Sequence, residues 1–175
     1  MQDVAQQDPI EGTEVRKFLA RRGAIAIKET RDLGVVPGLY TDDLLVSTMV
    51  LAIVKGAQRE MSYSVKLERR DDQKNTTASV LLDYDELPEL IEAFDFIASH
   101  ALEMQGRQRD YTEVTYSTKD AARFGFFQSR GQQQIFVAPE LHGDLIFLAD
   151  HDFPRLKSLL GQAKSHLESK GASLV

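Results

Sequence analysis

Val80-Leu-Leu-Asp-Tyr-Asp-Glu-Leu-Pro-Glu-Leu-Ile-Glu-Ala-Phe-Asp-Phe-Ile-Ala-Ser-His-Ala-Leu102 reads as the end of an apolar strand followed directly by a helix. The same unit returns at Ile146 to Glu168, at a constant offset of 66 residues and without a gap. Leu82/Leu148, Pro88/Pro154, Leu90/Leu156, Ser99/Ser165 and His100/His166 are identical, and the apolar positions coincide. A shared period states how a chain is organised before any propensity is consulted.

Within the first copy, Leu87, Leu90, Ile91, Phe94, Ile97, Ala98, Ala101 and Leu102 recur at steps of three and four. That spacing draws one apolar stripe along a helix. Pro88 falls in the first turn, where its missing N–H costs nothing, and Asp85, Glu86 and Glu89 complement the helix dipole. The second helix is expected from about Asp152 to Lys170, with Phe153, Leu156, Leu160, Ala163 and Leu167 as its stripe and Gly171 as its end.

Upstream, Thr13 to Arg22 predicts a short helix with Thr13 as N-cap, Val15, Phe18 and Leu19 on one side, and Gly23 as its stop. Ala24 to Lys28 reads as a strand, and Val35-Val-Pro-Gly38 as a break. Leu44 to Lys55 is apolar on both faces, as a covered central strand would be. A buried helix is the alternative there, and the β-branched residues favour a strand. Met61 to Glu68 alternates, which predicts one wet face bearing Ser62, Ser64, Lys66 and Glu68. Arg69 to Asn75 reads as a polar hairpin loop, and Thr76 to Leu82 as the returning strand.

In the second half, Thr112 to Ser117, Phe124 to Phe127, Gln134 to Val137 and Asp144 to Leu148 read as strands. The turns are Ser129-Arg-Gly-Gln132 and His142-Gly-Asp144. Strand runs each closed by one helix define an α+β fold with antiparallel sheets. The expected division is a tail at 1–12, one domain at 13–170 built of halves at about 24–105 and 111–170, and a tail at 171–175. The repeat does not extend upstream at the same offset, so the halves are expected to share a closing unit but not their full strand sets.

Composition excludes several chemistries. The 175 residues carry a net charge of −6 and no cysteine, which removes thiolate nucleophiles, thiolate zinc sites and disulfides. The longest apolar stretch, Leu44 to Val54, is too short to span a bilayer as a helix. There is no Gly-x-Ser-x-Gly, no phosphate-binding glycine loop and no His-x-x-x-His. The polar opening Met1 to Ile10 lacks an apolar leader core. It reads as the tail of a cytoplasmic protein or the mature start of an exported bacterial one, with export slightly favoured.

Asp83-Tyr-Asp85-Glu86 is the sharpest acidic cluster. A strand ending in Asp-x-Asp is similar to the site where haloacid-dehalogenase-type phosphatases hold Mg²⁺, which would make the chain a phosphoryl-transfer enzyme through Asp83 and Asp85. No Thr or Val follows the second Asp, and no Gly-Asp-Asp lies downstream. Asp150-His-Asp152 in the second copy is out of register by one, so capping is the favoured reading, with no metal and no cofactor expected. His100 and His166 are expected to sit near helix C-termini, where partial negative charge favours imidazolium. His142 reads as a turn residue and His151 as part of the second helix's entry. The basic pairs Arg21/Arg22, Arg69/Arg70 and Arg107/Arg109 read as solvated surface.

The two helices differ in charge. Asp83 to Glu103 holds seven acids and no Lys or Arg, whereas Asp150 to Lys170 is near neutral. Glu89, Glu92 and Asp95 are therefore the candidate interaction surface.

A helix after each four-stranded unit, in duplicate, resembles the topology of the Whirly-type single-stranded-DNA binders. The resemblance covers the two repeats and rests on topology. It implies a sheet face with exposed rings, which Tyr63, Tyr116, Phe126 and Phe127 would supply. A net negative chain opposes polyanion binding. The leading expectation is a non-enzymatic binding module of α+β fold. It would act through a sheet face not covered by helices, or through the acidic helix, on a protein or small-molecule partner, with self-association possible. A single-stranded-nucleic-acid binder is the alternative.

Overall fold

The computed structural model describes residues 12–71, 76–107, 110–139 and 143–174. Helix α1 (Glu14–Leu19) precedes strands β1 (Ile25–Pro37), β2 (Asp42–Lys55), β3 (Gln58–Asp71) and β4 (Thr76–Asp83). A 3₁₀ turn at Tyr84–Glu86 leads into α2 (Leu87–Met104). Strands β5 (Tyr111–Ser117), β6 (Arg123–Ser129), β7 (Gln132–Ala138) and β8 (Ile146–Leu148) follow, then α3 (Asp152–Ser169). The strands form two antiparallel sheets in simple meander order, β1-β2-β3-β4 and β5-β6-β7-β8. The fold is α+β.

Both halves are thus four strands and a helix, against the expectation that they share only the closing unit. The strands of the first sheet run 13, 14, 14 and 8 residues and those of the second 7, 7, 7 and 3. Unequal strand lengths destroy a constant offset upstream while preserving the topology.

Each long helix lies on the sheet of the other half. α3 packs on β1, β2 and β3, and α2 packs on β5 and β6. Gly34 makes room for this on β1, since a Cβ there would sit 3.1 Å from Leu159 of α3. The helices meet at Phe94 and Phe153, whose rings stack at 4.4 Å, with Phe124 of β6 5.5 Å from Phe94. One continuous core results, from Val36, Leu44, Val46, Val65 and Leu67 through Leu87, Leu90 and Phe94 to Phe124, Phe126, Leu156 and Leu160. Residue 172, placed in the tail by sequence, also joins this core, because a Schellman turn at Gly171 (φ +110°) tucks Ala172 in.

Several boundaries depart from the sequence reading. β1 runs straight through Val35-Val-Pro37 rather than breaking, because β1 is an edge strand and proline's missing N–H is tolerated there. β2 is buried from Leu44 to Ile53, as a doubly covered strand should be. The expected wet face of β3 is partly covered. α1 lies over β2, β3 and β4, with Val15 packed on Met49 and Leu81, so Ser62 and Ser64 are buried. Arg69 belongs to β3 and is buried, paired with Asp42 at 3.1 Å and Asp144 at 3.4 Å. On α2, Leu102 and Ala98 face solvent instead of the core, while Ala101 and Met104 keep the last turns packed on it. His142, Arg109 and residues 72–75 lie outside the described residues.

Candidate functional site: the uncovered face of the second sheet

The acidic cluster is a clasp between elements. Asp83 accepts hydrogen bonds from the backbone N–H of Glu14 (2.8 Å) and of Val15 (3.1 Å), which caps the start of α1 from another strand. Glu86 accepts from the N–H of Asp83 (2.8 Å) and of Lys119 (2.8 Å). Burial pushes the Glu86 carboxyl above its ordinary value, and the two N–H donors pull it partly back. Lys119 reaches Asp85 at 3.0 Å and Asp83 at 3.4 Å. Asp120 accepts from the N–H of Leu81 (2.9 Å) and the guanidinium of Arg16 (2.5 Å). These carboxylates tie α1, β4 and the β5–β6 turn together. Among the described residues, no three or more His, Asp or Glu side chains converge as metal ligands would.

The acidic face of α2 is partly spent inside the molecule. Asp95 pairs with Lys157 of α3 at 2.5 Å, and Glu89 accepts from the Tyr116 hydroxyl at 3.5 Å. Glu92 faces solvent. The histidines do not form a pair. His100 stacks on Phe96 with centroids 5.7 Å apart, whereas His166 lies 3.3 Å from Arg31. Burial, with Arg31 and Lys170 nearby, holds the His166 imidazole below its ordinary value, the reverse of the expected helix-terminus effect. His151 occupies the N-cap position of α3 and is exposed.

The first sheet is covered by α3 on one side and by α1 on the other. The second sheet has α2 packed on one side, and among the described residues no helix packs comparably on its other face. Strand alternation places Tyr111, Glu113, Thr115 and Ser117 of β5 on that open face. The register adds Arg123, Gly125, Phe127 and Ser129 from β6, Gln132, Gln134 and Phe136 from β7, and Phe147 from β8.

A row of rings crosses this face from strand to strand. Tyr111 lies 6.1 Å from Phe127, near parallel at 24°. Phe127 lies 6.2 Å from both Phe136 and Phe147. Tyr40, from the turn between β1 and β2, closes the row edge-on to Phe147 at 6.1 Å. Phe136 sits opposite Gly125 and is only 2% exposed, yet it is no part of the main core. Its ring lies tilted at 39° to that of Phe127. Tyr40 and Tyr111 are 74% and 57% exposed and form the two ends.

The face is close to electroneutral. Glu113 accepts from the Tyr111 hydroxyl (2.6 Å) and the Thr115 hydroxyl (2.8 Å). The tyrosine bond first, the threonine bond next and the nearby Arg123 charge hold its carboxyl below its ordinary value. The Arg123 Nε is buried without a hydrogen-bond partner among the described residues. Among the described residues, the charges beside the rings are Glu113, Arg123 and, next to Phe127, Arg130, with hydroxyls and amides between them.

Sequence reasoning had named four rings. Only Phe127 lies on the open face; Phe126 is fully buried, and Tyr63 and Tyr116 point into the helix-covered side. Tyr111, Phe136, Phe147 and Tyr40 were missed. The sequence signal for Tyr111 is its place at two-residue spacing with Glu113, Thr115 and Ser117, opposite the Thr112, Val114 and Tyr116 face, but Tyr40 joins only through tertiary structure. Comparison with protein-family models, with curated proteins and with solved structures finds no match for this chain.

Proposed function

We propose that the protein is a non-enzymatic binding module that docks a protein partner on the open face of the second sheet. The observation carrying this reading is the ring row from Tyr111 to Tyr40 on a sheet face that no helix covers. Tyrosine offers large, stiff contact area with a polar tip, which suits recognition surfaces. The balance of Glu113 and Arg123 favours an uncharged or mixed surface over a polyanion.

The test is quantitative capture of a partner by the wild type, by Tyr40→Ser/Tyr111→Ser and by Glu92→Lys. The expected result is a partner lost by the double variant and kept by Glu92→Lys. The opposite pattern transfers the role to the acidic helix formed by Glu89, Glu92 and Asp95.

A single-stranded nucleic acid is the second reading, because near-parallel rings such as Tyr111 and Phe127 can stack bases. Its expected sign is low-salt binding of single-stranded DNA that the Tyr111→Ser change weakens. Unchanged fluorescence anisotropy of a labelled oligonucleotide removes it.

A further inference from the structure

β1 is the edge of the first sheet and pairs only with β2 among the described residues. At 13 residues it is long, and its first eight residues are all exposed, including Ile25 (66%) and Ile27 (46%). A long edge with exposed apolar side chains is a template for another strand. Proteins commonly blunt such an edge with charges. Here the charges run Lys28, Glu29, Thr30, Arg31, Asp32, and their signs are antisymmetric about Thr30.

That arrangement complements itself. In an antiparallel pair related by a two-fold axis, residues facing one another must lie on the same sheet face, so the axis passes through a single residue position. With Thr30 opposite Thr30, Lys28 meets Asp32 and Glu29 meets Arg31. Symmetry doubles each, giving only opposite-charge contacts. The adjacent registers set Glu29 against Glu29 or Arg31 against Arg31, and like charges directly opposite are unfavourable.

The side chains are available for this. Lys28 and Asp32 make no ion pair among the described residues. Among the described residues, Glu29 pairs with Lys170 at 3.7 Å, and Arg31 meets the His166 ring at 3.3 Å. The bulge between Asp32 and Gly34 falls outside the four charges and leaves their register intact.

We propose that β1 is a homodimerisation edge, pairing antiparallel with β1 of a second copy about Thr30 to give a continuous eight-stranded sheet. This surface is separate from the ring row and stands without the function proposed above.

The chain has no cysteine, so single cysteines report the register cleanly. Sedimentation of the full chain at micromolar concentration should give a dimer that weakens at high salt. Thr30→Cys should cross-link the dimer on mild oxidation. Lys28→Cys should not, since its two copies would lie about 13 Å apart along the strands, beyond disulfide reach. Lys28→Asp should weaken the dimer at least tenfold, and Lys28→Asp/Asp32→Lys should restore it, with melting curves confirming that each variant is folded. A monomer at every concentration, equal cross-linking at 28 and 30, or a double reversal that fails to restore the dimer would each overturn the proposal.

Discussion

The Asp83 carboxylate accepts the backbone N–H of Glu14 at 2.8 Å, across 69 residues of sequence. A cap normally comes from the helix's own first residues. Here Thr13 contributes only a 3.4 Å contact to the N–H of Arg16, and the strand-end aspartate supplies the anion. A six-residue helix cannot persist alone, so this contact and the packing of Val15 on Met49 and Leu81 hold it on the sheet.

Asp83→Ala should therefore release α1 before the rest of the fold. The expected loss is about 1–3 kcal/mol, the cost of stranding one buried and one partly buried donor. Hydrogen exchange should show faster exchange at Val15 with little change in α2.

Because each helix covers the other half's sheet, the halves should unfold together. Phe94 is 1% exposed and stacks on Phe153, so Phe94→Ala should cost about 3–5 kcal/mol. Denaturant curves followed by far-ultraviolet dichroism and by tyrosine fluorescence should still coincide. Two separated transitions would contradict the shared core.

Two glycines should respond with opposite sign. A Cβ on Gly125 would lie 2.0 Å from the Val114 carbonyl oxygen, so Gly125→Ala must part β5 from β6 and should cost more than about 1 kcal/mol. Gly161 lies inside α3 with nothing within 4 Å of its virtual Cβ, so Gly161→Ala should stabilise by about 0.5–1 kcal/mol. Thermal melts of the two variants decide both.

Acid should act through His166. Its folded-state pKa is lowered, first by burial and then by Arg31 and Lys170, so the unfolded chain binds the proton more readily. Stability should fall as pH drops through the ordinary imidazole range toward the lower folded value. Glu86, raised by burial, works oppositely: its unfavourable contribution grows as pH rises through its folded value. His166→Gln isolates the first effect. Its denaturation midpoint should change less between pH 7 and pH 5 than that of the wild type.

Local pattern alone specifies the two long helices and the hairpin at Arg130-Gly131, where both φ values are positive as a two-residue turn requires. Apolar spacing of three and four leaves α2 and α3 few alternatives, and alternation marks β3 and β5. Strand ends were less legible. Pro37 reads as a break until its strand is known to be an edge, and Ser62 and Ser64 read as wet until α1 is placed above them.

The candidate site was half visible for the same reason. Phe126 and Phe127 are neighbours in sequence, and only the register of β6 sends one into the core and the other onto the open face. Side-chain period and helix stripe are short-range properties, so the residues themselves determined the α+β class, the repeated strand-to-helix unit and the absence of thiol chemistry. Which sheet each helix covers, where Asp83 spends its charge and how Tyr40 joins Phe147 depend on contacts between distant segments. Those choices were made by the tertiary structure, because one apolar stripe fits either sheet equally well until both compete for a single core.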